Sequence, residues 1–154
     1  MKKIIFTIIF ASSLMLSGKL NAQSYSAAVG AKLTFGFYGT YKMEFKENLY
    51  ADIYGGLAYG LGGGVALELH KPIEDVDNLY WYVGAGVNGG IHPSYATRSG
   101  VRIGVNTVIG IDYTFDEIPL NLSFDWMPGL NIVGGLYPIV SSGGLSARYI
   151  LKTN

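Results

Sequence analysis

The clearest order in the chain is an alternation of apolar and polar positions. In the run VRIGVNTVIGIDYTF, residues 101–115, Val101, Ile103, Val105, Thr107, Ile109, Ile111, Tyr113 and Phe115 share one parity, while Arg102, Gly104, Asn106, Gly110, Asp112 and Thr114 share the other. Successive side chains of a strand point to opposite faces, whereas a helix needs recurrence near 3.6 residues. The same alternation recurs along the chain and predicts strands over 25–35, 37–45, 49–59, 62–71, 79–90, 101–115, 120–126 and 144–151. No sustained helical period competes with it, and each glycine placed inside a helix would cost about 1 kcal/mol relative to alanine.

The connections sort into two kinds. Residues 46–48, 74–78 and 116–119 are short and polar, as hairpin links are. Residues 35–39, 59–63, 91–100 and 127–143 are longer or rich in glycine. Four links at one end and three at the other are what eight up-and-down strands produce. Pro72, Pro93, Pro119, Pro128 and Pro138 all fall at strand ends or in loops, where a missing N–H breaks no ladder. An open sheet of this size would leave two adhesive edges, and closure into a barrel removes both. The predicted fold is therefore all-β, an eight-stranded antiparallel up-and-down barrel.

Parity gives the barrel two faces. The apolar face includes Ala27, Val29, Ala31 and Leu33, then Val65, Leu67 and Leu69, then Leu120, Leu122 and Phe124. Its aromatics band at both ends, with Phe45, Trp81, Tyr113, Phe115 and Tyr149 near the short turns and Phe35, Phe37, Tyr59 and Trp126 near the long links. Two girdles around an aliphatic belt match a bilayer with its two headgroup regions. The polar face carries Lys32, Lys42, Glu44, Asp52, Glu68, His70, Arg102, Asp112, Asp125 and Arg148, with glycines interspersed. Those glycines would weaken water-facing strands, but in a narrow lumen they make room for large neighbours. The competing arrangement is a soluble ligand-binding calyx with the apolar face inward. The girdles and the glycines favour lipid outside and charge inside.

Composition agrees. Charged residues make up 14% of the chain, below the roughly 25–35% expected of a soluble surface. Lys2 and Lys3 precede an apolar run from Ile4 to Leu16, and Leu20, Asn21 and Ala22 offer a small-residue cleavage site before Gln23. These regions read as a secretory signal peptide, residues 1–22, ahead of a barrel domain over 23–154. Without Lys2, Lys3 and Lys19 the remainder holds eight basic against eleven acidic residues, a formal charge near −3. No basic stripe invites nucleic acid. The chain has no cysteine, so neither a disulfide framework nor acylation on cysteine is available.

The signal ending LNAQ, the strand-turn-strand VIGIDYTFDEIPLNLSFDW and the alternating GLSARYIL together resemble the small eight-stranded outer-membrane β-barrels of Gram-negative bacteria, the OmpX and OmpA membrane-domain type. The likeness is architectural and covers nearly all of the chain from Gln23. It implies an outer-membrane location, lipid as the surrounding partner, and termini and short turns in the periplasm. It also implies insertion by machinery that reads the last strand. Tyr149 and Leu151 hold alternating positions there, although Lys152, Thr153 and Asn154 follow.

Candidate chemistry is sparse. The polar face nearly balances its charges, and burial of ions is costly unless each is paired, so a connected network filling the lumen is expected in preference to an open pore. On this reading Arg102→Leu should unpair lumen carboxylates. His92-Pro93-Ser94 invites comparison with outer-membrane lipid A deacylases, which use a His-x-Ser pair with a carboxylate. Here a proline intervenes, no carboxylate is near in sequence and the surrounding motif is absent; a serine nucleophile needs both a base and a group to orient it. His70 beside Glu68 falls short of a metal site. Neither a catalytic residue nor a cofactor or metal ligand is assigned. The 127–143 link, with Leu130, Ile132, Leu136, Tyr137 and Ile139, is unusually apolar for an exposed loop. It is expected to extend strands or fold over the mouth, with a protein partner as the other use of such a surface. The sequence-level function is a non-enzymatic structural or interaction barrel, with a lipid-modifying enzyme or a narrow channel as alternatives.

Overall fold

The computed structural model describes residues 25–58, 60–93, 100–140 and 142–153. The proposed signal segment, Tyr59 and Ser94 lie outside them. All regular structure among the described residues is β: β1 (Tyr25–Leu33), β2 (Phe37–Lys46), β3 (Leu49–Leu57), β4 (Leu61–Pro72), β5 (Leu79–His92), β6 (Gly100–Thr114), β7 (Leu120–Trp126), β8 (Gly129–Val133), β9 (Tyr137–Ile139) and β10 (Gly143–Thr153).

Each of β1 to β6 pairs antiparallel with the next. Both β7 and β8 lie along β6, so they are one barrel strand interrupted at Met127 and Pro128. Pro128 has no N–H to give, yet its carbonyl accepts from the Thr107 N–H at 2.9 Å and keeps the strand against β6. In the same way β9 pairs with β8 and β10 with β7, making the last barrel strand. β10 then pairs with β1, with Ala31 opposite Ala147. The sheet is a closed eight-stranded antiparallel barrel without a free edge along its shared height, which is the predicted fold class.

The predicted strands start where the structure starts them at Tyr25, Phe37, Leu49, Leu79 and Leu120. β1 and β3 end two residues early because tight turns intervene: Thr34 N–H donates to Gly36 O at 3.1 Å and Ala58 N–H to Gly60 O at 3.0 Å. β5 and β6 instead run on, reaching His92 and Gly100 opposite one another. Two of the three short links turn through left-handed residues, with φ of 61° at Asn48 in one and of 69° at Asp75 and 62° at Asn78 in the other. Asn and Asp tolerate that region better than other side chains.

The apolar parity faces outward. Val65, Leu67, Val83, Val87, Val105 and Ile109 are all exposed. Of the girdle residues, Phe35, Phe37, Phe45, Trp81, Trp126 and Tyr149 are exposed, and Tyr113 and Phe115 are half-buried with their rings edge to face at 4.9 Å. The interior is the lumen, where the buried apolar side chains Ala66, Tyr82, Val108 and Met127 cluster among ions. Glycines cradle the large rings. A Cβ on Gly110 would stand 2.5 Å from Tyr82 Cζ, and one on Gly64 would stand 2.6 Å from the Tyr54 hydroxyl.

Parity fails in one place. Tyr25 shares the odd parity of outward Val29, yet it is buried in the lumen, as is Ala28. The β1–β10 register shifts between Tyr25 and Ala27 and again between Ala27 and Ala28. A bulge inserts an unpaired residue and swaps the faces beyond it.

Candidate functional site

The lumen divides into a filled layer and an open cup. In the filled layer β1, β2 and β10 supply the cations Lys32, Lys42 and Arg148, and β3, β4, β6 and β7 supply the carboxylates Asp52, Glu68, Asp112 and Asp125. All these side chains are almost fully buried. Lys32 Nζ lies 2.7 Å from Asp125 and 3.8 Å from Asp52. Arg148 reaches Asp52 at 3.1 Å, donates to Ser123 Oγ at 2.7 Å and donates to Thr40 Oγ1 at 3.2 Å. Thr40 in turn donates to Asp52.

Toward the short turns a second group continues the layer. Lys42 Nζ lies 2.6 Å from Glu68 and 3.6 Å from Asp112. His70 Nε2 is 3.1 Å from the same Glu68 oxygen, and its ring stacks on Tyr82 with centroids 4.7 Å apart. Asp112 also accepts from the Tyr25 hydroxyl at 3.1 Å and from Asn121, and Tyr82 donates to Asp125 at 3.1 Å. The cost of removing an ion from water is several kcal/mol, offset only by a partner of opposite charge and by further hydrogen bonds. Three cations face four carboxylates, and Tyr25, Thr40, Tyr82 and Asn121 add hydrogen bonds to Asp112, Asp52 and Asp125, which meets most of that condition; Glu68 Oε1 and Asp125 Oδ1 are buried without a hydrogen-bond partner among the described residues. Below this layer the free space near the short turns is only about 10 Å³, bounded by Tyr25, Tyr50, His70 and Tyr80.

Two of the sequence-selected residues sit elsewhere. Glu44 is at the short-turn rim, where it accepts from the Asn48 N–H at 3.2 Å. Arg102 is in none of these ion pairs; it stands higher, in the cup wall, with its guanidinium 6.0 Å from the Tyr137 ring centre. The expectation that Arg102 holds lumen carboxylates is thus corrected. Asp112 and Arg102 lie ten residues apart on β6, roughly 33 Å along a strand, which separates them by most of the barrel's length.

The cup occupies the other half of the lumen and opens between the long links. Its volume is about 390 Å³. Lys32, Tyr54 and Met127 line its floor, where Lys32 Nζ approaches Met127 Sδ at 3.3 Å. Gly62, Gly63, Gly89 and Gly90 thin the β4–β5 wall. On the opposite wall are β8 and β9, the structure within the apolar 127–143 link. Leu130 and Ile132 point out, Leu136 is exposed, and Tyr137 and Ile139 turn toward the cup. Asn131, buried, donates to the carbonyls of Val133 and Gly135 at 2.7 Å each and ties down the hairpin tip, whose Gly134 and Gly135 have φ of 84° and 114°.

Sequence reasoning did not single out Tyr25, Thr40 or Met127 as lumen partners. Tyr25 is hidden by the bulge, Thr40 is a small neutral residue in a strand, and Met127 lies at a strand break that no periodicity marks. His92 lies in the cup wall, and no carboxylate lines the cup. Among the described residues no group of three or more His, Cys, Asp or Glu is placed to hold a metal ion. Comparison with protein-family models, with curated proteins and with solved structures returns no match to this chain.

Proposed function

We propose that this chain is an integral outer-membrane β-barrel protein with a closed lumen, acting as a structural or loop-mediated interaction protein rather than as a pore or an enzyme. The observation that carries this reading is the inversion of the barrel: aliphatic side chains cover the outer wall while lysine, arginine and carboxylates fill the inside. In water that wall would expose a contiguous apolar surface far beyond the few hundred Å² usual for a soluble monomer. In a bilayer the same wall is matched by acyl chains, and the aromatics at its ends suit the headgroup regions. The signal-like first residues and the resemblance to small outer-membrane barrels support the same location.

The filled layer supports a closed lumen. Free space of about 10 Å³ beneath it is room for about one water, and the ion pairs above join β1 to β7, β2 to β4 and β10 to β3 across the lumen. In planar bilayers the protein is expected to show no steady single-channel conductance; a stable open level would overturn the closed lumen.

The deciding experiment is refolding of the mature chain with and without detergent micelles, read by heat-dependent gel mobility and β-type circular dichroism. A compact, heat-modifiable species that forms only with detergent is expected. A monodisperse β-protein in plain buffer would overturn the membrane reading and favour a soluble calyx.

A further inference from the structure

Carboxylates are distributed very unevenly along the barrel axis. All eleven Asp and Glu can be placed: Asp52, Glu68, Asp112 and Asp125 belong to the filled layer, and the other seven fall at or beside the three short turns. The end bearing the long links has none. The cup at that end is lined instead by Arg102 and His92, above a floor where Lys32 is already paired with Asp125.

The remaining lining suits a ligand. Asn88 and Asn106 face each other across β5 and β6, with the Asn88 amide donating to the Asn106 carbonyl at 2.9 Å. His92 Nδ1 is buried and has no hydrogen-bond partner among the described residues, and a buried polar atom without a partner is unfavourable until something fills the space. The rings of Tyr38 and Tyr54 meet edge to face at 6.2 Å and offer an apolar wall. A volume of about 390 Å³ lies within the range of small-molecule pockets, which combine apolar walls with a few polar groups. A cleft of one sign, walled by low-dielectric material, concentrates ions of the other sign.

We propose that the cup is a binding site for a small organic anion, a carboxylate or phosphate on a compact, partly apolar body, with Arg102 as the group that holds its charge and His92 as a hydrogen-bonding group beside it. The inference rests on the barrel itself; the outer-membrane reading adds only that the cup faces the external medium. The acidic end excludes the same ligand, so the two ends differ in what they admit.

The test is a titration of the folded barrel, run in whichever medium folds it, so that folding in plain buffer alone would defeat the membrane reading without touching this one. Backbone amide shifts of Gly62, Gly89 and Gly90 are followed with benzoate, inorganic phosphate, benzyl alcohol and benzylamine as probes. Benzoate or phosphate is expected to shift them saturably, with affinity falling as salt is raised, while the alcohol and the amine do not. Doping the micelle with an anionic phospholipid separates the sources: a headgroup occupant displaces benzoate, and a free solute leaves it bound. Arg102→Gln is expected to weaken benzoate about tenfold, as loss of one charge-assisted hydrogen bond does. His92→Asn, at a strand end where folding is least at risk, provides the second variant and is expected to weaken it too. Absence of saturable shifts at millimolar anion, equal binding of benzyl alcohol, or unchanged affinity in both folded variants would overturn the proposal.

Discussion

Two arginines on the same face of the barrel have different work. Arg148 is fully enclosed and gives hydrogen bonds to Asp52, Ser123 and Thr40; its removal leaves Asp52 in the interior with the Thr40 hydroxyl and, as the one cation, Lys32 at 3.8 Å. Arg148→Met is therefore expected to destabilise the folded barrel by about 3–5 kcal/mol, the cost of breaking a buried pair from one side, measured as a shift of the urea midpoint in micelles. Arg102→Leu is expected to cost much less, because no carboxylate lines the cup around it. Comparable losses for both would mean that charge pairing at Arg148 contributes little beyond packing. Parity in the sequence put both residues in the lumen, and the expectation that both hold carboxylates there fits Arg148 and not Arg102. Their heights, and so their partners, depend on how far each strand is staggered against its neighbours, which is not a property of either strand alone.

Strand pairing makes some glycines necessary and leaves others free. A Cβ on Gly30 would lie 2.0 Å from the Ala147 carbonyl oxygen on the adjoining β10, whereas one on Gly39 would come no closer than 3.8 Å to Gly55 O. Gly30→Ala is expected to lose about 1–3 kcal/mol by forcing β1 and β10 apart, and Gly39→Ala to be near neutral, both read by unfolding in detergent. The outward face has its own prediction. Val105 sits near the middle of β6 and is exposed, so on the membrane reading Val105→Arg is expected to cost about 2–4 kcal/mol and to lower the yield of heat-modifiable barrel. Insertion at wild-type yield would place that face in water. At this scale the sequence was legible wherever alternation ran unbroken, as from Val101 to Thr114. It misled at Tyr25, where a bulge changes the face without changing the composition; for the 127–143 link it led to the expectation that strands extend there, which β8 and β9 do, but not to their bounds or partners. Those two short strands exist because β6 is longer than β7 and leaves donors and acceptors above Ile109 that the chain after Pro128 returns to satisfy.

As a whole the molecule is polar along its axis. An ionic layer occupies the half near the short turns, the other half is an open cup, and acidic residues avoid the cup's end entirely. The proposed absence of conductance and the proposed anion site both follow from that asymmetry, one from each half.

The sequence by itself determined the period of two, the sorting of residues into an apolar and a charged face, and the need for closure. Each of these depends on neighbours two residues apart, and a strand fixes that geometry locally. The tertiary structure alone decided which ions meet, that Tyr25 turns inward, that Arg102 and His92 share a cavity, and where the lumen is filled or empty. Those outcomes depend on register between strands distant in sequence. Register is set by the summed pairing and packing of the closed barrel, so no single segment encodes it.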